Sequence, residues 1–318
     1  REGLRLRRSR NVIIQNLTIS GASVAGVYIS DEDYARPGEP AQPRSAEGYG
    51  DVTIQRVNIL KTGPKGQRHA MALMGLENVR VEQCAIVGWG GSGIEIVACR
   101  NVHVSQCSVR GLDDFTQNQG IRIRAGSEHV VIDQCRLESP GAFGISIGGT
   151  SKPVEFRLVP STAPASARTI EANDVSIERS IIKGGEISVD IISALNCRLR
   201  SNSIINPTAC VIRAASLKSA PPSRGELAVE GLHLTSNLFI WEAGRIQRLM
   251  DLTNSVDKSM VQVEQNLWWS PETDAEKEHR GNVEGTILFD QVLNVDPRLD
   301  DSFHPANSAA ELFGTFGP

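Results

Sequence analysis

Aromatic residues make up only 5% of this 318-residue sequence. No apolar run approaches the roughly 18 residues that a membrane-spanning helix needs, and no segment has the 3.6-residue period of an amphipathic helix. We therefore expect neither a membrane protein nor a mainly helical one.

Strong net charge and clustered metal ligands are also missing. The net charge is −4, which argues against a nucleic-acid partner bound through a basic patch. No CxxC pair or His/Cys cluster has zinc spacing, so we predict no metal site from such motifs. Arginines outnumber lysines, and because a guanidinium binds carboxylates in a bidentate way, an anionic ligand is permitted.

The start of the chain has no signal peptide that can be recognised. Its arginines lead directly into a strand rather than into an apolar segment. Because the chain also begins inside a repeat without an obvious cap, we expect the natural protein to extend further at this end. A secreted or periplasmic location is the corresponding expectation.

A nine-residue pattern of alternating apolar residues returns nine times, at intervals of 22 to 45 residues. It reads NVIIQNLTI from Asn11, DVTIQRVNI from Asp51, NVRVEQCAI from Asn78, NVHVSQCSV from Asn101, HVVIDQCRL from His129, DVSIERSII from Asp174, NCRLRSNSI from Asn196, GLHLTSNLF from Gly231 and MVQVEQNLW from Met260. Periods of this size indicate stacked units. The shortest intervals fit one coil of a parallel β-helix, whereas the patterns of leucine-rich repeats and propeller blades are absent.

A second ladder of short strands precedes the first in each coil. Its members are GVYIS at Gly26, AMALM at Ala70, GIEIV at Gly93, GIRIR at Gly120, GISIG at Gly144, SVDII at Ser188, CVIRA at Cys210, LMDLT at Leu249 and, less clearly, TILFD at Thr286. Side chains alternate between the two faces of a strand, so pairs such as Ile94 and Ile96 point inward. The sequence predicts an all-β fold, a single-stranded parallel β-helix of about nine coils.

One column of the repeat holds Cys84, Cys107 and Cys135 and continues as Asn202, Asn237 and Asn266 in later coils. Equivalent residues of stacked coils lie about 4.8 Å apart. A disulfide tolerates that distance, but parallel side-chain directions make the bond awkward. We expect a buried ladder of free thiols, followed by a hydrogen-bonded ladder of amides.

Four insertions interrupt the period, at 30–50, 148–173, 214–230 and 270–284. They are rich in Pro, Ser, Ala, Gly and charge, which is typical of loops. The first three directly follow second-ladder strands, so we expect them to wall a groove along one sheet. We predict one domain over residues 1–318, ending in a capping tail at 294–318.

The outward residues of the second ladder predict the floor of this groove. Charged residues occupy it in successive coils, namely Glu95, Arg122, Arg124, Asp190, Arg213 and Asp251. Counting from the start of each strand aligns Arg213 with Ile192. At about 4.8 Å per coil the line is roughly 25 Å long, which suits a linear polysaccharide. The alternative is that opposite charges only neutralise one another across neighbouring coils.

The GIxIx and NVxVxxC/N repeats, which cover nearly all of the chain, resemble those of right-handed parallel β-helix proteins of the pectate-lyase-like superfamily. The ending NVDPRLDDSFHPANSAAELFG is similar to the closing segment of bacterial secreted members. The resemblance implies a carbohydrate-active protein whose partner is an acidic, uronate-containing polysaccharide. It does not choose between enzymes and binding proteins, and it predicts no oligomeric state.

The stretch GIRIRAGSEHVVIDQC from Gly120 is similar to the one that carries the basic catalytic residue in alginate and chondroitin lyases. This resemblance implies β-elimination with Arg124 in the catalytic role, and we take Arg122 on the same strand as a second catalytic candidate. Lys stands in that group where this chain has Arg124, and acidic metal ligands stand there in place of Gln117 and Gln119. No cofactor is evident, although Ca²⁺ is compatible with the resemblance.

The remaining candidates are assigned by their chemistry. His69 is a candidate acid or base because histidine titrates near neutrality. We expect Arg157 and Arg213 to bind substrate carboxylates, and Glu95, Asp190 and Asp251 to line the same substrate site.

Two other functions stay open. A glycoside hydrolase of the same fold would use paired carboxylates, for which Asp190 and Asp251, about 9 to 10 Å apart by strand spacing, and the adjacent Asp113 and Asp114 are candidates. A non-catalytic glycan-binding protein would use the groove alone. We expect the tryptophans on another side or inside the helix, so they are not predicted sugar platforms.

Overall fold

The computed structural model describes residues 2–31, 49–152, 155, 170–215, 229–242, 244–246, 248–253, 256, 258–270, 296–301, 303, 305–307, 310 and 312–316. Two parallel sheets and two short 3₁₀ helices, Lys258–Met260 and Gly314–Phe316, make up its regular structure. No helix within these ranges is both long enough and apolar enough to span a membrane.

The second ladder forms sheet A, a nine-stranded sheet. In spatial order its strands are β1 (Leu4–Arg7), β3 (Val27–Ser30), β5 (Met71–Met74), β8 (Ser92–Val97), β11 (Gln119–Arg124), β14 (Phe143–Gly148), β17 (Ile187–Ile192), β20 (Cys210–Ala215) and β23 (Arg248–Leu252). Eight of these were predicted. The additional strand, β1, pairs in parallel with β3, while the predicted strand at Thr286 lies outside the described residues.

The first ladder forms sheet B, which has 16 strands. One set comprises β2 (Arg10–Ser20), β4 (Tyr49–Thr62), β6 (Leu76–Glu82), β9 (Arg100–Ser105), β12 (Ser127–Asp133), β15 (Ala172–Glu178), β18 (Ala194–Arg200), β21 (Glu230–Thr235) and β24 (Val261–Glu264). A second set comprises β7 (Ala85–Trp89), β10 (Ser108–Arg110), β13 (Arg136–Glu138), β16 (Ile181–Lys183), β19 (Ser203–Ile205), β22 (Leu238–Ile240) and β25 (Leu267–Trp269). Neighbouring strands pair in parallel, as the predicted β-helix requires.

In most coils, the nine-residue pattern is two strands rather than the single strand that its alternation indicates. Gln83, Gln106 and Gln134 have φ values of 54°, 52° and 51°. This left-handed backbone conformation turns the chain just before each column cysteine. Each coil therefore has three strand positions, and the recurrent column residue marks a corner.

The core fills the space between the sheets along the helix axis. The inward residues predicted on sheet A, including Ile94, Ile96, Ile121 and Ile123, are fully buried. Trp89, Trp241 and Trp268 are also inside, which confirms that they are not exposed platforms. Burying large apolar side chains contributes about 1.5–3 kcal/mol each, so stacking the coils is the main source of stability.

The predicted column of thiols and amides is confirmed. All six cysteines, including the three of the column, are free and buried. Burial also raises the pKa of Cys197, which lies within β18 and outside the column, to about 12. Further along the column, the backbone N–H of Asn202 donates to Oδ1 of Asn237, and that of Asn237 donates to Oδ1 of Asn266, each at 2.9 Å. These bonds satisfy buried backbone donors at a corner that no sheet ladder covers.

The described part of the C-terminal tail packs on the outside of β22 and β25. Phe313 and Ala310 form an apolar cluster with Leu238, Ile240 and Leu267, and the backbone N–H of Gly314 donates to Ser236 O at 2.9 Å. The predicted single domain and capping role stay predictions. Most residues of the four predicted insertions lie outside the described residues. For the first three insertions, the preceding strand ends and the following strand begins within two residues of the predicted bounds.

We expect Asn237→Ala to lower the free energy of unfolding by about 3 kcal/mol, because it leaves several buried polar groups without partners. Among them are the Asn202 N–H and the Leu199 carbonyl, which accepts from Asn237 Nδ2 at 2.9 Å. Urea unfolding measures the effect. The control is Asn58→Ala, which removes an exposed bond to Thr18 and should cost less than about 1 kcal/mol; equal losses would contradict the account.

Candidate functional site

The outer face of sheet A carries two rows of side chains that follow the strand register. The first row runs Arg5, Tyr28, Ala72, Glu95, Arg122, Ser146, Asp190, Arg213, Asp251. The second runs Arg7, Ser30, Met74, Val97, Arg124 and, beyond it, Gly148, Ile192, Ala215. The predicted groove floor is therefore one continuous face.

The predicted alignment of Arg213 with Ile192 is wrong. Asp190 pairs with Arg213, and Ile192 pairs with Ala215. Because Val211 and Ile212 are adjacent and both apolar, the sequence did not show which alternate residues of this strand face the core. Burial of Ile212 and Ala214 in the core moves Arg213 into the first row, between two aspartates.

Glu95 is the centre of a charged cluster and is completely buried. Its Oε1 accepts from Arg124 Nε at 2.7 Å and lies 3.9 Å from Arg122 Nη1, and its Oε2 accepts from Ser92 Oγ at 2.6 Å. Burial by itself raises the pKa of Glu95, but the charge of His69, which is present when that ring is protonated in acid, the charges of Arg124 and Arg122, and the Ser92 hydroxyl outweigh burial and lower it. Glu95 is therefore an ionised anchor rather than a proton donor.

His69 lies beside Glu95, before β5, and its ring is in the neutral form near neutral pH. Burial is the largest influence on its pKa and lowers it below 6.5. The backbone N–H of Ser92 donates to His69 Nδ1 at 3.1 Å, so Nδ1 carries no proton and Nε2 does. The 3.7 Å separation of Nδ1 from Glu95 Oε2 is thus not a charged hydrogen bond.

Arg124 binds two carboxylates at once. Besides Glu95, its Nη1 contacts Glu155 Oε1 at 2.8 Å and Ser151 Oγ at 3.2 Å. Burial by itself lowers the pKa of Arg124, but Glu95 and Glu155 outweigh it and raise that pKa. The guanidinium therefore stays protonated, and its donors are directed at protein groups.

Glu171 holds the segment after β14 against the sheet. Its carboxylate accepts from the Ser151 backbone N–H at 2.7 Å, from Ser151 Oγ at 2.6 Å and from the Ala125 N–H at 2.9 Å. Because Ser151 also contacts Arg124, this segment and the Glu95 cluster form one hydrogen-bonded unit.

Arg122 is the arginine of the cluster that has fewer bonds to protein groups. Within the described part of the chain its ion pair is the 3.9 Å contact with Glu95, and its side chain is 18% exposed. A Cβ on Gly149 would lie 3.1 Å from Arg122 Nη2, and Gly149 has φ +144°. The absence of a side chain at Gly149 leaves room beside this guanidinium.

A second charged group continues the first row beyond Ser146. Arg213 Nε donates to Asp190 Oδ1 at 2.7 Å, a bond that is the main reason why the pKa of Arg213 is raised. The Arg213 guanidinium also lies over the Phe143 ring, 5.4 Å from its centre. Asp251 is paired with Arg248 at 2.8 Å, so opposite charges are matched along this row, as the alternative interpretation predicts.

The structure thus places the predicted residues in two groups on one face. His69, Glu95, Arg122 and Arg124 form the first, and Asp190, Arg213 and Asp251 belong to the second. Arg157 lies outside the described residues. Asp113 and Asp114 are exposed in the connection between β10 and β11.

Sequence reasoning missed Ser92, Ser151, Glu155 and Glu171. The repeat gave no signal for them, because Ser92 starts a strand where other coils have different residues, and the other three come from the 148–173 insertion. That insertion was predicted to border the site, and this was the one feature of the sequence that pointed to contacts from it.

A depression of about 650 Å³ lies on a different face, on the outside of sheet B. Arg80, His103 and Val131 lie on its floor, and Asn78 and Asn101 line its edge. Polar groups at this edge bond to one another, with Asn101 donating to Asn78 at 3.1 Å and Asn78 to Asp51 at 3.0 Å. They form an outer polar ladder between coils.

The residues that the structure describes include no cluster of metal ligands. No set of three or more His, Cys, Asp or Glu side chains there is arranged to hold an ion.

Comparison with known proteins agrees with this architecture. A family model described as "Right handed beta helix region" matches residues 1–159 and 45–220. The chain is similar to the tailspike protein of E. coli bacteriophage HK620 in complex with a pentasaccharide, at 10% identity and a TM-score of 0.56, and to a double mutant of that tailspike at 11% and 0.56. Each match covers 83% of this chain and 46% of the tailspike chain, so this chain spans less than half of the tailspike's length. At such identity the likeness shows the fold alone, and no curated protein matches the sequence.

We expect Glu95→Gln to lower the free energy of unfolding by about 3 kcal/mol near neutral pH, because it leaves the buried Arg124 charge without its closest partner. The folded-state pKa of Glu95 is below its usual 4.5, so its stabilising contribution is present above that pH and is lost as the pH falls through the folded pKa. The difference between wild type and variant should therefore narrow in acid, which urea unfolding at several pH values measures.

Glu128→Gln is the matched control for this substitution. Glu128 pairs with Arg100 at 3.2 Å on a partly exposed surface, so its loss should cost less than about 1 kcal/mol. A gap between wild type and Glu95→Gln that stays constant from neutral to acid pH would show that Glu95 is not an ionised anchor.

Proposed function

Because this chain belongs to the right-handed β-helix family, we propose that it binds an acidic polysaccharide along the outer face of sheet A and acts on it there. The observation that carries the proposal is Arg122, a guanidinium in the middle of that face whose one described ion pair is 3.9 Å long. A guanidinium with donors to spare is suited to bind a carboxylate in a bidentate way.

The shape of the face supports a linear polymer. Successive strands of sheet A add about 4.8 Å each, so the first row offers contacts along a line rather than in a closed pocket. The tailspike similar in fold carries a pentasaccharide in its complex, which is consistent with a carbohydrate ligand for this fold. A secreted or periplasmic location, where such polymers are met, belongs to the same proposal.

The reaction that we propose to test first is β-elimination from a uronate, as the resemblance to the pectate-lyase-like superfamily implies. This reaction requires neutralisation of the substrate carboxylate, and Arg122 is suited to supply it. His69, with its proton on Nε2, is suited to donate a hydrogen bond to the bound sugar. Asp190, Arg213 and Asp251 would contact neighbouring sugars, with Arg157 as a further candidate contact.

Proton abstraction is the step with the weaker support. Glu95 and Glu155 keep Arg124 protonated, and the lone pair of His69 Nδ1 is committed to Ser92. Neither group is available as a base in this arrangement. We therefore assign Arg124 a positioning role, in which it holds Glu95 and the segment at Ser151, and polysaccharide binding has better support than turnover.

We expect Arg122→Ala to weaken binding of the acidic polymer by about tenfold to a hundredfold, because a charge-assisted hydrogen bond contributes about 1.5–3 kcal/mol. The measurement is isothermal titration calorimetry with alginate, polygalacturonate and chondroitin. Arg80→Ala, which removes an exposed arginine from the outside of sheet B, is the control and should leave affinity unchanged. Equal losses in the two variants would contradict a site on sheet A.

Turnover is tested on the same polymers, with and without Ca²⁺. Ultraviolet absorbance of the unsaturated product reports elimination, and release of reducing ends without that absorbance reports hydrolysis, for which Asp190 and Asp251 are the carboxylates to replace. Binding without either signal identifies a glycan-binding protein. The absence of binding to every polymer would refute the proposal.

A further inference from the structure

We infer that the depression on the outside of sheet B binds a small sugar phosphate, with Arg80 and His103 on the phosphate group and the amides of its edge on sugar hydroxyls. This site lies on a different face from the one proposed for the acidic polysaccharide and does not depend on that proposal. The depression is open to solvent, because Arg80, His103 and the two asparagines of its edge are exposed. A ligand can therefore reach every group that the inference uses.

The depression has the size of a small-molecule site. Its volume of about 650 Å³ lies within the range of about 300–1,000 Å³ that is usual for such sites. Four neighbouring strands supply its floor in register, with Thr53 on β4, Arg80 on β6, His103 on β9 and Val131 on β12. At about 4.8 Å per strand the floor is roughly 14 Å long, so a monosaccharide with one phosphate group fits along it.

Arg80 and His103 lie side by side without an acidic partner. They are register partners on adjacent strands, and within the described part of the chain neither side chain makes an ion pair or a hydrogen bond. Like charges directly opposite each other on neighbouring strands are destabilising. An anion bound between the guanidinium and the imidazole removes that repulsion, which is the observation that points to a ligand.

Arg198 shows that this sheet can pair such an arginine internally. It lies in the same outward row as Arg80, and its Nη1 contacts Oδ1 of Asp174 on the neighbouring strand at 2.5 Å. Asp51 has the equivalent place beside Arg80, but its Oδ1 accepts from Asn78 Nδ2 at 3.0 Å instead. The donors of the Arg80 guanidinium are therefore left for a ligand.

A phosphate monoester matches this pair of basic groups. It carries about −1.5 to −2 charges at pH 7 and has three strong acceptor oxygens, so it can accept from a guanidinium and from an imidazole N–H at once. A uronate carboxylate carries a single charge. The polymers proposed for sheet A therefore do not match the pair, and Arg80→Ala keeps its place as their control.

The surrounding side chains complement the hydroxyls of a sugar. Asn101 and Asn78 each use one amide hydrogen in the outer polar ladder, and an amide group has a second hydrogen to donate. The Thr53 hydroxyl is the next group in the row beside Arg80, and Val131 offers an apolar contact at the other end. These groups make a sugar the carrier of the phosphate that we infer.

An NMR titration with glucose 6-phosphate at pH 7 tests the site. We expect the side-chain amide signals of Asn78 and Asn101 to shift, and Arg80→Ala to weaken the affinity about tenfold to a hundredfold, the size of one charge-assisted hydrogen bond. The Tm of this variant without ligand should equal that of the wild type, because the side chain that it removes is exposed. A wild type that does not bind glucose 6-phosphate, or that binds it without these shifts, would overturn the inference.

Arg198→Ala is the matched control. Arg198 lies in the same row but is bound to Asp174, so its removal should leave the affinity unchanged. Equal losses in the Arg80 and Arg198 variants would show only a general effect of charge and would overturn the site.

Two further probes separate the parts of the ligand. Glucose 6-sulfate has the same sugar but a single negative charge, so we expect it to bind about fivefold more weakly or worse, the size of one hydrogen bond. Inorganic phosphate lacks the sugar and should also bind more weakly than glucose 6-phosphate. Equal affinity for the two esters would refute the match to a dianion, and equal affinity for inorganic phosphate would refute the sugar contacts.

Discussion

Every feature of this protein depends on the stacking of equivalent residues about 4.8 Å apart in parallel register. Apolar residues benefit from this repetition, since each inward position extends a continuous core. Polar residues are satisfied by their own copies, as the column from Asn202 to Asn266 shows. Charged residues cannot repeat without repulsion, so each outward row must alternate its charges or recruit partners from elsewhere.

The candidate site follows from that constraint on charge. One carboxylate, Glu95, lies beside two arginines of the next strand. Arg124 makes the shorter contact with Glu95 and also binds Glu155. Arg122 is left with the longer one. Two arginines meet two carboxylates here, but Arg122 holds only the longer contact, and its remaining donors are what make an anionic sugar the ligand that we propose. Further along the row, Asp190 and Arg213 restore the pairing.

Much of the fold could be predicted because each coil carries its own copy of the same sequence pattern. The strand positions, the buried thiols and the row from Glu95 to Asp190 follow from alternation and stacking alone. The position of Arg213 could not be derived, because two adjacent apolar residues, Val211 and Ile212, fit either phase. Glu155 and Glu171 were missed because contacts made by an insertion have no period. The strand β1 could have been predicted too, because Gly3 stands before its LRLR sequence as Gly120 stands before IRIR.

A change of polarity along one stacked column was a further signal in the sequence that was not used. Outward positions of the β7 to β25 set are polar in β10 and β13 and become apolar in later coils, at Ile205, Leu238, Ile240 and Leu267. An apolar outward position requires a cover, and the tail residues Ala310 and Phe313 provide it for β22 and β25. The change of polarity along a stacked column therefore predicts where a non-repetitive segment will pack.

The central claim is that an acidic polysaccharide binds on the outer face of sheet A. The most direct measurement is a crystal structure of the protein with an oligosaccharide of the uronate polymer that it binds most tightly. The account predicts density across the strands from β8 to β20, with a carboxylate on Arg122. Density in the depression on the outside of sheet B, beside Arg80 and His103, with none on sheet A, would contradict it.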